Sequence, residues 1–293
     1  MFFEQYIALT LPDYLFSMGS FSVPTVAIKA GIQPLLEREL RQSSELNIKE
    51  SIIRYELGAR TGSKLNLFYT AISRNLIEEI HAACDSARVL PVSIQPSFTG
   101  LIHLIKQIKT DSPHPAVVIH IDEFATTAGI FKNGGLLQLQ LVPVGLKNLA
   151  ERLSEDLNIA IEEACSIILK KLIILEDPSN EAQLEIVEYT ILESIFADLL
   201  QKIYGFLLLF SNDHPEEVGF SRIILSGSGS GIKNLDRLFN ANLGIATGTI
   251  SSESFSESIP FSNLENFNVF APAIGQALIQ PWNNEGFERV FAA

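Results

Sequence analysis

The sequence has few of the residues on which several common kinds of protein depend. Its 293 residues include only two cysteines, two methionines and one tryptophan. Two cysteines make neither a disulfide scaffold nor a metal knuckle, and Cys84 and Cys165 lie in helical patterns that usually bury this residue. The five histidines do not occur at a zinc-ligand spacing such as H-x-x-x-H. We therefore expect neither a disulfide-rich fold nor a metal site.

Basic residues are also scarce, because 21 Lys and Arg face 34 Asp and Glu, which gives a formal net charge of −13 at pH 7. Such a chain repels phosphate backbones and anionic lipid headgroups, so we expect no binding to nucleic acid. The first residues lack the features of a signal peptide. No run reaches the roughly 20 apolar residues that cross a bilayer. These absences predict a cytoplasmic protein with no direct membrane span.

The composition nevertheless favours a folded core, since 47% of the residues are hydrophobic and 19% are charged. Segments with strand-like alternation and with helical periodicity follow one another, which predicts an α/β fold. Residues 6–11 and 15–23 are predicted to be strands that pair with each other. Three further strands, the last two joined by a hairpin turn at Asn133-Gly134, are predicted at residues 116–121, 127–131 and 136–143.

The first candidate site is a glycine-rich loop between a short apolar strand, residues 221–225, and a helix. Glycines at positions 227, 229 and 231 would let the backbone approach a ligand, and the helix N-terminus offers unpaired N–H groups. The spacing matches neither the dinucleotide fingerprint nor the P-loop. A tight turn without any ligand accounts for the same residues equally well.

The second candidate site is the turn after the strand at residues 116–121, where Asp122 precedes the pair Thr126 and Thr127. Threonine hydroxyls and backbone N–H groups at such a turn can bind a phosphate group. Threonine-rich turns are common, so this motif is weak alone. The order of the two candidate sites along the chain is more specific than either of them.

This order resembles the actin-like ATPase superfamily, and within it the PilM family of type IV pilus assembly proteins, relatives of the division protein FtsA. The family's second phosphate motif is similar to residues 120–127, its adenosine loop to residues 225–235 and its last helix to residues 271–277. The resemblance extends over residues 5–280. It implies a degenerate nucleotide site at Asp122, Thr126, Thr127, Gly145, Ser226, Gly227, Ser228, Gly229, Ser230 and Gly231.

The resemblance also implies the architecture, an actin-like (ribonuclease H-like) α/β fold with an inserted small subdomain and an incomplete first half. The inserted subdomain, in which the chain is expected to begin, corresponds to residues 1–88. The remnant of the first half corresponds to residues 89–115 and 266–293, and the second half to residues 116–265. A sheet edge left open by a missing first hairpin would need a cover, which either the N-terminal strand or a second chain would supply, so a homodimer is also an expectation.

Two departures from the family pattern argue against ATP hydrolysis. The family's first hairpin, with its Asp-x-Gly turn, has no counterpart here. In the second phosphate motif His120 stands where the family has Asp, and Asp122 stands where it has Gly. Phosphoryl transfer depends on positioning and charge neutralisation, and a carboxylate at this turn would repel a phosphate. We therefore expect no catalytic residues, no metal, and either no cofactor or weakly bound Mg-ATP.

The function that the resemblance implies is that of a pseudo-ATPase, a cytoplasmic scaffold or adaptor in type IV pilus or type II secretion assembly. Its partner would be the short cytoplasmic tail of an inner-membrane protein, which recruits it to that membrane and docks at the inserted subdomain, around residues 35–42, 52–57 and 64–73. The net charge favours a basic tail. Two alternatives remain: an actin-like ATPase whose N-terminus is truncated or misassigned, and a sugar or acetate kinase.

Overall fold

The computed structural model describes residues 5–26, 31–43, 47–108, 112–170, 183–255, 264 and 266–278. The loop predicted at residues 174–180 and the chain after residue 278 lie outside this part. Among the described residues, no helix is both long and apolar enough to cross a membrane. The strands are β1 (Gln5–Leu11), β2 (Ser17–Pro24), β3 (Ser51–Thr61), β4 (Lys64–Ser73), β5 (Val89–Pro96), β6 (Ala116–Ile121), β7 (Thr126–Lys132), β8 (Gly135–Val142), β9 (Arg222–Ser226) and β10 (Thr247–Thr249).

The α-helices alternate with these strands, which confirms the predicted α/β class. They are α1 (Gln33–Ser43), α2 (Arg74–Ala87), α3 (Ser97–Ile105), α4 (Leu146–Leu157), α5 (Ile161–Lys170), α6 (Gln183–Asp213), α7 (Leu235–Leu243) and α8 (Phe267–Ala277).

A five-stranded sheet with the order β10-β9-β6-β7-β8 forms the centre of the molecule. Its middle strand β6 pairs in parallel with β9 and antiparallel with β7. Side chains from α4, α5, α6 and α7 pack on one face of the sheet, and those from α3 and α8 pack on the other. All six residues of β6 are buried, which explains why this strand is an uninterrupted apolar run apart from His120.

The hairpin between β7 and β8 has the turn that the sequence predicts. Asn133 has a φ of 51° and Gly134 a φ of 74°, and two successive residues with positive φ are what a two-residue hairpin turn of the favoured twist requires. The three strands predicted at residues 116–143 are therefore confirmed.

A three-stranded antiparallel sheet, with the order β2-β4-β3, covers the edge strand β8. Helix α1 packs on the outer face of this sheet through Leu36 and Leu40, which contact Tyr69. On the inner face, the backbone N–H of Leu139 in β8 donates to the hydroxyl of Ser20 over 2.8 Å. The edge of the central sheet is thus shielded from further strand pairing.

The predicted pairing of residues 6–11 with residues 15–23 is wrong. Strand β1 pairs in parallel with β5, and β2 pairs with β4 over its whole length. The reason lies between β1 and β2, where the 3-10 turn Asp13–Leu15 buries the side chain of Asp13 and redirects the chain instead of closing a hairpin. Strands β1 and β5 lie on opposite sides of the predicted domain boundary at residue 88, so their pairing joins the two predicted segments. The division of the chain into domains stays a prediction.

Helices α3 and α8 cross with their backbones in contact. A Cβ placed on Gly275 would lie 1.8 Å from the carbonyl oxygen of Gly100, and one on Gly100 would lie 2.0 Å from the carbonyl oxygen of Pro272. Only residues without a side chain permit this approach, so the crossing depends on both glycines.

We expect Gly275→Ala to lower the free energy of unfolding by about 3 kcal/mol, because the added methyl group forces the two helices apart and overpacks the core. The matched control is Gly205→Ala in α6, where an added Cβ meets no atom of the described residues within 4 Å. There alanine should stabilise the helix by about 0.5–1 kcal/mol. Urea denaturation of both variants measures the effects. Equal stabilities for the two variants would contradict the role assigned to the crossing.

Candidate functional site

The two candidate sites lie side by side at the end of the central sheet. Residue 120, at the end of β6, pairs with Thr127 of β7 on one side and with Ser226 of β9 on the other. The turn after β6 and the glycine loop after β9 therefore meet at the same edge of the sheet. What the structure adds is how their polar groups are used.

Both threonines of the predicted phosphate turn donate their hydroxyl protons within the protein. Thr126 and Thr127 are buried, with 0% and 1% of their surface exposed. The hydroxyl of Thr126 donates to the carbonyl oxygen of Val144 over 2.7 Å, and that of Thr127 donates to Oδ2 of Asp13 over 2.7 Å. A hydroxyl has one proton to donate, so neither threonine has a donor left for a phosphate oxygen.

The N-terminus of α4 is closed by the same turn. Gly145 is its N-cap, and the first N–H groups of a helix usually form a ready anion site. Here the N–H of Leu146 donates to the carbonyl oxygen of Asp122 over 3.0 Å, and that of Lys147 to the carbonyl oxygen of Glu123 over 2.8 Å. The backbone of the turn thus occupies the position that a phosphate would need.

Gly145 is required for this contact. A Cβ at position 145 would lie 2.6 Å from both the nitrogen of Ala125 and the carbonyl oxygen of Glu123. The glycine at the head of the helix therefore lets protein backbone, and not a ligand, approach the helix.

The glycine loop is packed against the end of β6 in a similar way. Gly227 has a φ of +87°, and a Cβ there would lie 2.4 Å from the carbonyl oxygen of Ile121. A Cβ on Gly229 would lie 2.4 Å from Cγ2 of Ile121. Ser228 is half-buried and Gly231 is exposed, so these two residues form the outer part of the loop. The first two glycines thus serve contacts inside the protein.

Asn268 of α8 fastens the loop, a role that sequence reasoning missed. Its carbonyl oxygen accepts the N–H of Gly227 over 3.0 Å and the hydroxyl of Ser226 over 3.1 Å. Its side-chain amide donates to the hydroxyl of Ser230 over 2.8 Å, and that hydroxyl donates to the carbonyl oxygen of Gly227 over 2.7 Å. The only signal in the sequence is an asparagine at the start of the predicted last helix.

Asp13 is the second residue that sequence reasoning missed. It is 3% exposed, and its Oδ1 accepts the backbone N–H of Phe98 over 2.9 Å, while Oδ2 accepts the hydroxyl of Thr127. Its carboxyl group thus lies between the first turn of α3 and the start of β7. A lone aspartate after a predicted strand gives no indication of this position.

An aromatic contact lies beside this carboxyl group. The rings of Tyr14 and Phe124 have centroids 4.6 Å apart, and Nζ of Lys147 lies 5.2 Å from the centroid of Phe124. These contacts join the 3-10 turn after β1 to the turn after β6 and to the first turn of α4. Phe124 of the turn after β6 therefore contacts both of the other elements at the mouth of the candidate site.

Two cavities near the sheet, both lined by described residues, are too small for a nucleotide. One, at the opposite end of β6 and β7, has a volume of about 20 Å³, which holds about one water molecule. A smaller one between the sheet and α6 is lined only by apolar residues and a glycine: Ile121, Val144, Gly145, Leu149, Phe196 and Leu199. Small-molecule sites have roughly 300–1,000 Å³. Neither of these two cavities could hold a nucleotide.

In the described part of the chain, no three His, Cys, Asp or Glu side chains converge as metal ligands would. Burial raises the pKa of Asp13 above its ordinary value of 3.8, although His120, the hydroxyl of Thr127 and the N–H of Phe98 act in the opposite direction. The charge of Asp122 adds to the rise. Of the two ionisable neighbours that act on the pKa of Asp13, His120 lowers it and Asp122 raises it.

This shift predicts a pH-dependent stability. Because the pKa of Asp13 is raised in the folded state, its stabilising contribution is fully present below 3.8 and is lost as the pH rises through the raised value. We expect the stability of the wild type relative to Asp13→Asn, whose side chain does not ionise, to fall over that range. Denaturant titrations of both proteins at several pH values measure the difference between their free energies of unfolding. The contributions of the other carboxyl groups are the same in both proteins and cancel in this difference. A difference that stays constant or grows with pH would refute the expectation.

No protein-family model matches the sequence, and no curated protein is significantly similar to it in sequence. Solved structures are similar in fold. A structure described as the PilM-PilN type IV pilus biogenesis complex has a TM-score of 0.73 at 16% identity, over 94% of this chain and 79% of that chain. MreB5 of Spiroplasma citri bound to ADP has a TM-score of 0.52 at 12% identity, over 90% of this chain and 77% of that chain.

The same Spiroplasma protein bound to AMPPNP has a TM-score of 0.51 at 13% identity, over 73% of this chain and 67% of that chain. Identities at this level are informative about the fold alone. The comparisons and the sheet topology agree on that point, so the predicted fold class is confirmed: the chain has an actin-like α/β fold.

Proposed function

We propose that this protein is a cytoplasmic actin-like scaffold or adaptor in type IV pilus or type II secretion assembly, and that it does not hydrolyse ATP. The observation that carries the proposal is the likeness to the PilM-PilN structure, with a TM-score of 0.73 over 94% of this chain. The partner is the short cytoplasmic tail of an inner-membrane protein. Binding of that tail recruits the scaffold to the inner membrane, and a second copy of the chain remains a further predicted partner.

The internal hydrogen bonds of the candidate site support the proposal that ATP is not hydrolysed. Thr126 and Thr127 donate to protein oxygens, and the first N–H groups of α4 donate to the turn after β6. Hydrolysis needs donors and cations aimed at the phosphates. Without them, most of the charge of a bound nucleotide would have no compensation.

A nucleotide-binding ATPase is the competing function. The likeness to MreB5 bound to ADP, with a TM-score of 0.52, favours it, because that protein holds a nucleotide on the same type of fold. Under this hypothesis the loops at residues 122–127 and 226–231 would have to open and release their internal hydrogen bonds. A binding measurement separates the two functions.

We expect Mg-ATP to bind weakly or not at all, since its phosphates would have to displace hydrogen bonds made by Thr126, Thr127 and the start of α4. Isothermal titration calorimetry of the full chain with Mg-ATP and Mg-ADP measures this. A micromolar dissociation constant for either nucleotide would support the competing ATPase and remove the argument for a nucleotide-free scaffold.

The control for any heat observed is Gly231→Leu. An added Cβ at position 231 has its nearest neighbour 3.9 Å away, so a larger side chain there blocks the outer part of the loop without disturbing the core. Heat that persists in this variant does not come from the loop. Gly229 is unsuitable for this control, because a side chain there would collide with Ile121 inside the protein.

Strand β3 is the part of the predicted docking region best suited to an extended peptide. It is an edge strand of the sheet β2-β4-β3, and its Tyr55 and Leu57 are 45% and 57% exposed. These two residues alternate with Glu56, so they lie on the same face of the strand. A peptide that adds to this edge would gain main-chain hydrogen bonds from the strand and apolar contacts from both side chains.

The charges around this edge differ from the charge of the whole chain. Among the described residues, two carboxylates lie on or beside β3, Glu50 and Glu56. Four exposed cations lie there too: Lys49, Arg54, Arg60 and Lys64. The net charge of −13 therefore attracts a basic tail at long range but does not describe the edge itself. The proposal rests on strand addition and apolar contact, and not on local charge.

We expect Leu57→Asp to weaken binding of the tail peptide at least about tenfold, which corresponds to the loss of roughly 1.4 kcal/mol. The matched control is Leu209→Asp on α6, since Leu209 is 60% exposed and lies away from β3. The measurement is fluorescence anisotropy with labelled peptides that tile the cytoplasmic tails of inner-membrane pilus and secretion proteins from the same organism. Equal weakening by both variants, or binding by none of the peptides, would count against the docking site.

Point variants are needed because deletion of residues 1–88 would not test the site. The deletion would remove β1 from β5 and the carboxyl group of Asp13 from Thr127. Loss of binding would then report loss of the fold.

A further inference from the structure

The carboxyl group of Asp13 is held by donors from two other elements. Its Oδ1 accepts the N–H of Phe98, in the first turn of the nine-residue helix α3, over 2.9 Å. Its Oδ2 accepts the hydroxyl of Thr127 over 2.7 Å. An N–H at a helix N-terminus together with a hydroxyl is the donor set that proteins use to hold an oxyanion.

His120 belongs to the same cluster. It pairs directly with Thr127 across β6 and β7, and directly opposite residues place their side chains on the same face of a sheet. His120 is 3% exposed, and among the described residues neither ring nitrogen has a hydrogen-bond partner, Asp13 included. His120 lowers the pKa of Asp13, so the two side chains lie near each other. A buried imidazole without a partner beside this carboxyl site is a polar group that a carboxyl group bound there could still engage.

We propose that Phe98, Thr127 and His120 form a binding site for a carboxyl group, and that the side chain of Asp13 is a ligand built into the chain that fills it. The ligand is tethered, so its effective concentration far exceeds that of any free anion in solution. The site is therefore occupied at all times in the wild type. Asp13, which follows β1, thereby joins the start of α3 to β7 of the central sheet.

The class of ligand follows from the geometry. A glycine at position 13 would leave the space of a CH2–COO group beside the same donors. Acetate has the shape of that missing group, formate is smaller, and propionate exceeds it by one methylene group. We therefore expect the vacated site to accept formate and acetate and to reject propionate. This inference does not depend on the partner peptide.

The test is chemical rescue of the full-length variant Asp13→Gly. We expect the variant to unfold at a lower urea concentration than the wild type, and formate or acetate to raise its midpoint with saturation. At a tenfold excess of ligand over its dissociation constant, the folding equilibrium constant should rise about elevenfold. Chloride and propionate at equal ionic strength should give no saturable effect, and the wild type should not respond to any of the four anions.

The double variant Asp13→Gly with Thr127→Val is the matched control, because it lacks the hydroxyl donor and should lose the rescue. If Asp13→Gly does not fold in chloride, the recovery of its circular dichroism after refolding in acetate is measured instead. Recovery in acetate but not in propionate supports the proposal. Rescue that is absent, equal for all anions or unchanged by Thr127→Val overturns it.

Discussion

The contact between the backbones of α3 and α8 at Gly100 and Gly275 is the constraint on which the candidate site depends. A Cβ on either residue would come within about 2 Å of the other helix. Helix α3 supplies the N–H of Phe98 that holds Asp13, and α8 carries Asn268, which fastens the glycine loop. Because one crossing positions both helices, it also determines how both loops at the edge of the central sheet are closed.

This closure has a consequence for function. A ligand shifts a conformational equilibrium only when it binds one state better than the other. Here the groups suited to a phosphate, among them Thr127 and the start of α4, are already paired within the protein, so a nucleotide would gain little by binding. This is the physical basis of the proposal that the chain is a scaffold: if the nucleotide gains little by binding, it cannot switch the chain between two states.

Much of the fold could be predicted because it follows from local patterns. Apolar runs and alternation predict β6, β7 and β8, Asn133 and Gly134 predict the hairpin turn between the last two, and the glycine loop predicts the step from β9 to the next helix. The pairing of β1 with β5 could not be predicted, since it depends on the burial of Asp13 and on a partner far along the chain. The hydrogen bond between Thr127 and Asp13 spans 114 residues, and that between Ser226 and Asn268 spans 42. No local periodicity records contacts at such separations.

The predicted site residues lie near one another in the structure, and whether they form a functional site stays a prediction; the sequence does not indicate what they contact. Gly145 and Gly227 permit close approach, as a glycine in a phosphate loop does, yet the groups that approach are carbonyl oxygens of the turn after β6. The sequence also drew attention to Asp122, whose charge would repel a phosphate. In the structure the backbone carbonyl of Asp122 caps α4, and any residue supplies such a carbonyl. The site is therefore closed by backbone and by Asp13, and the side chain of Asp122 is not what closes it.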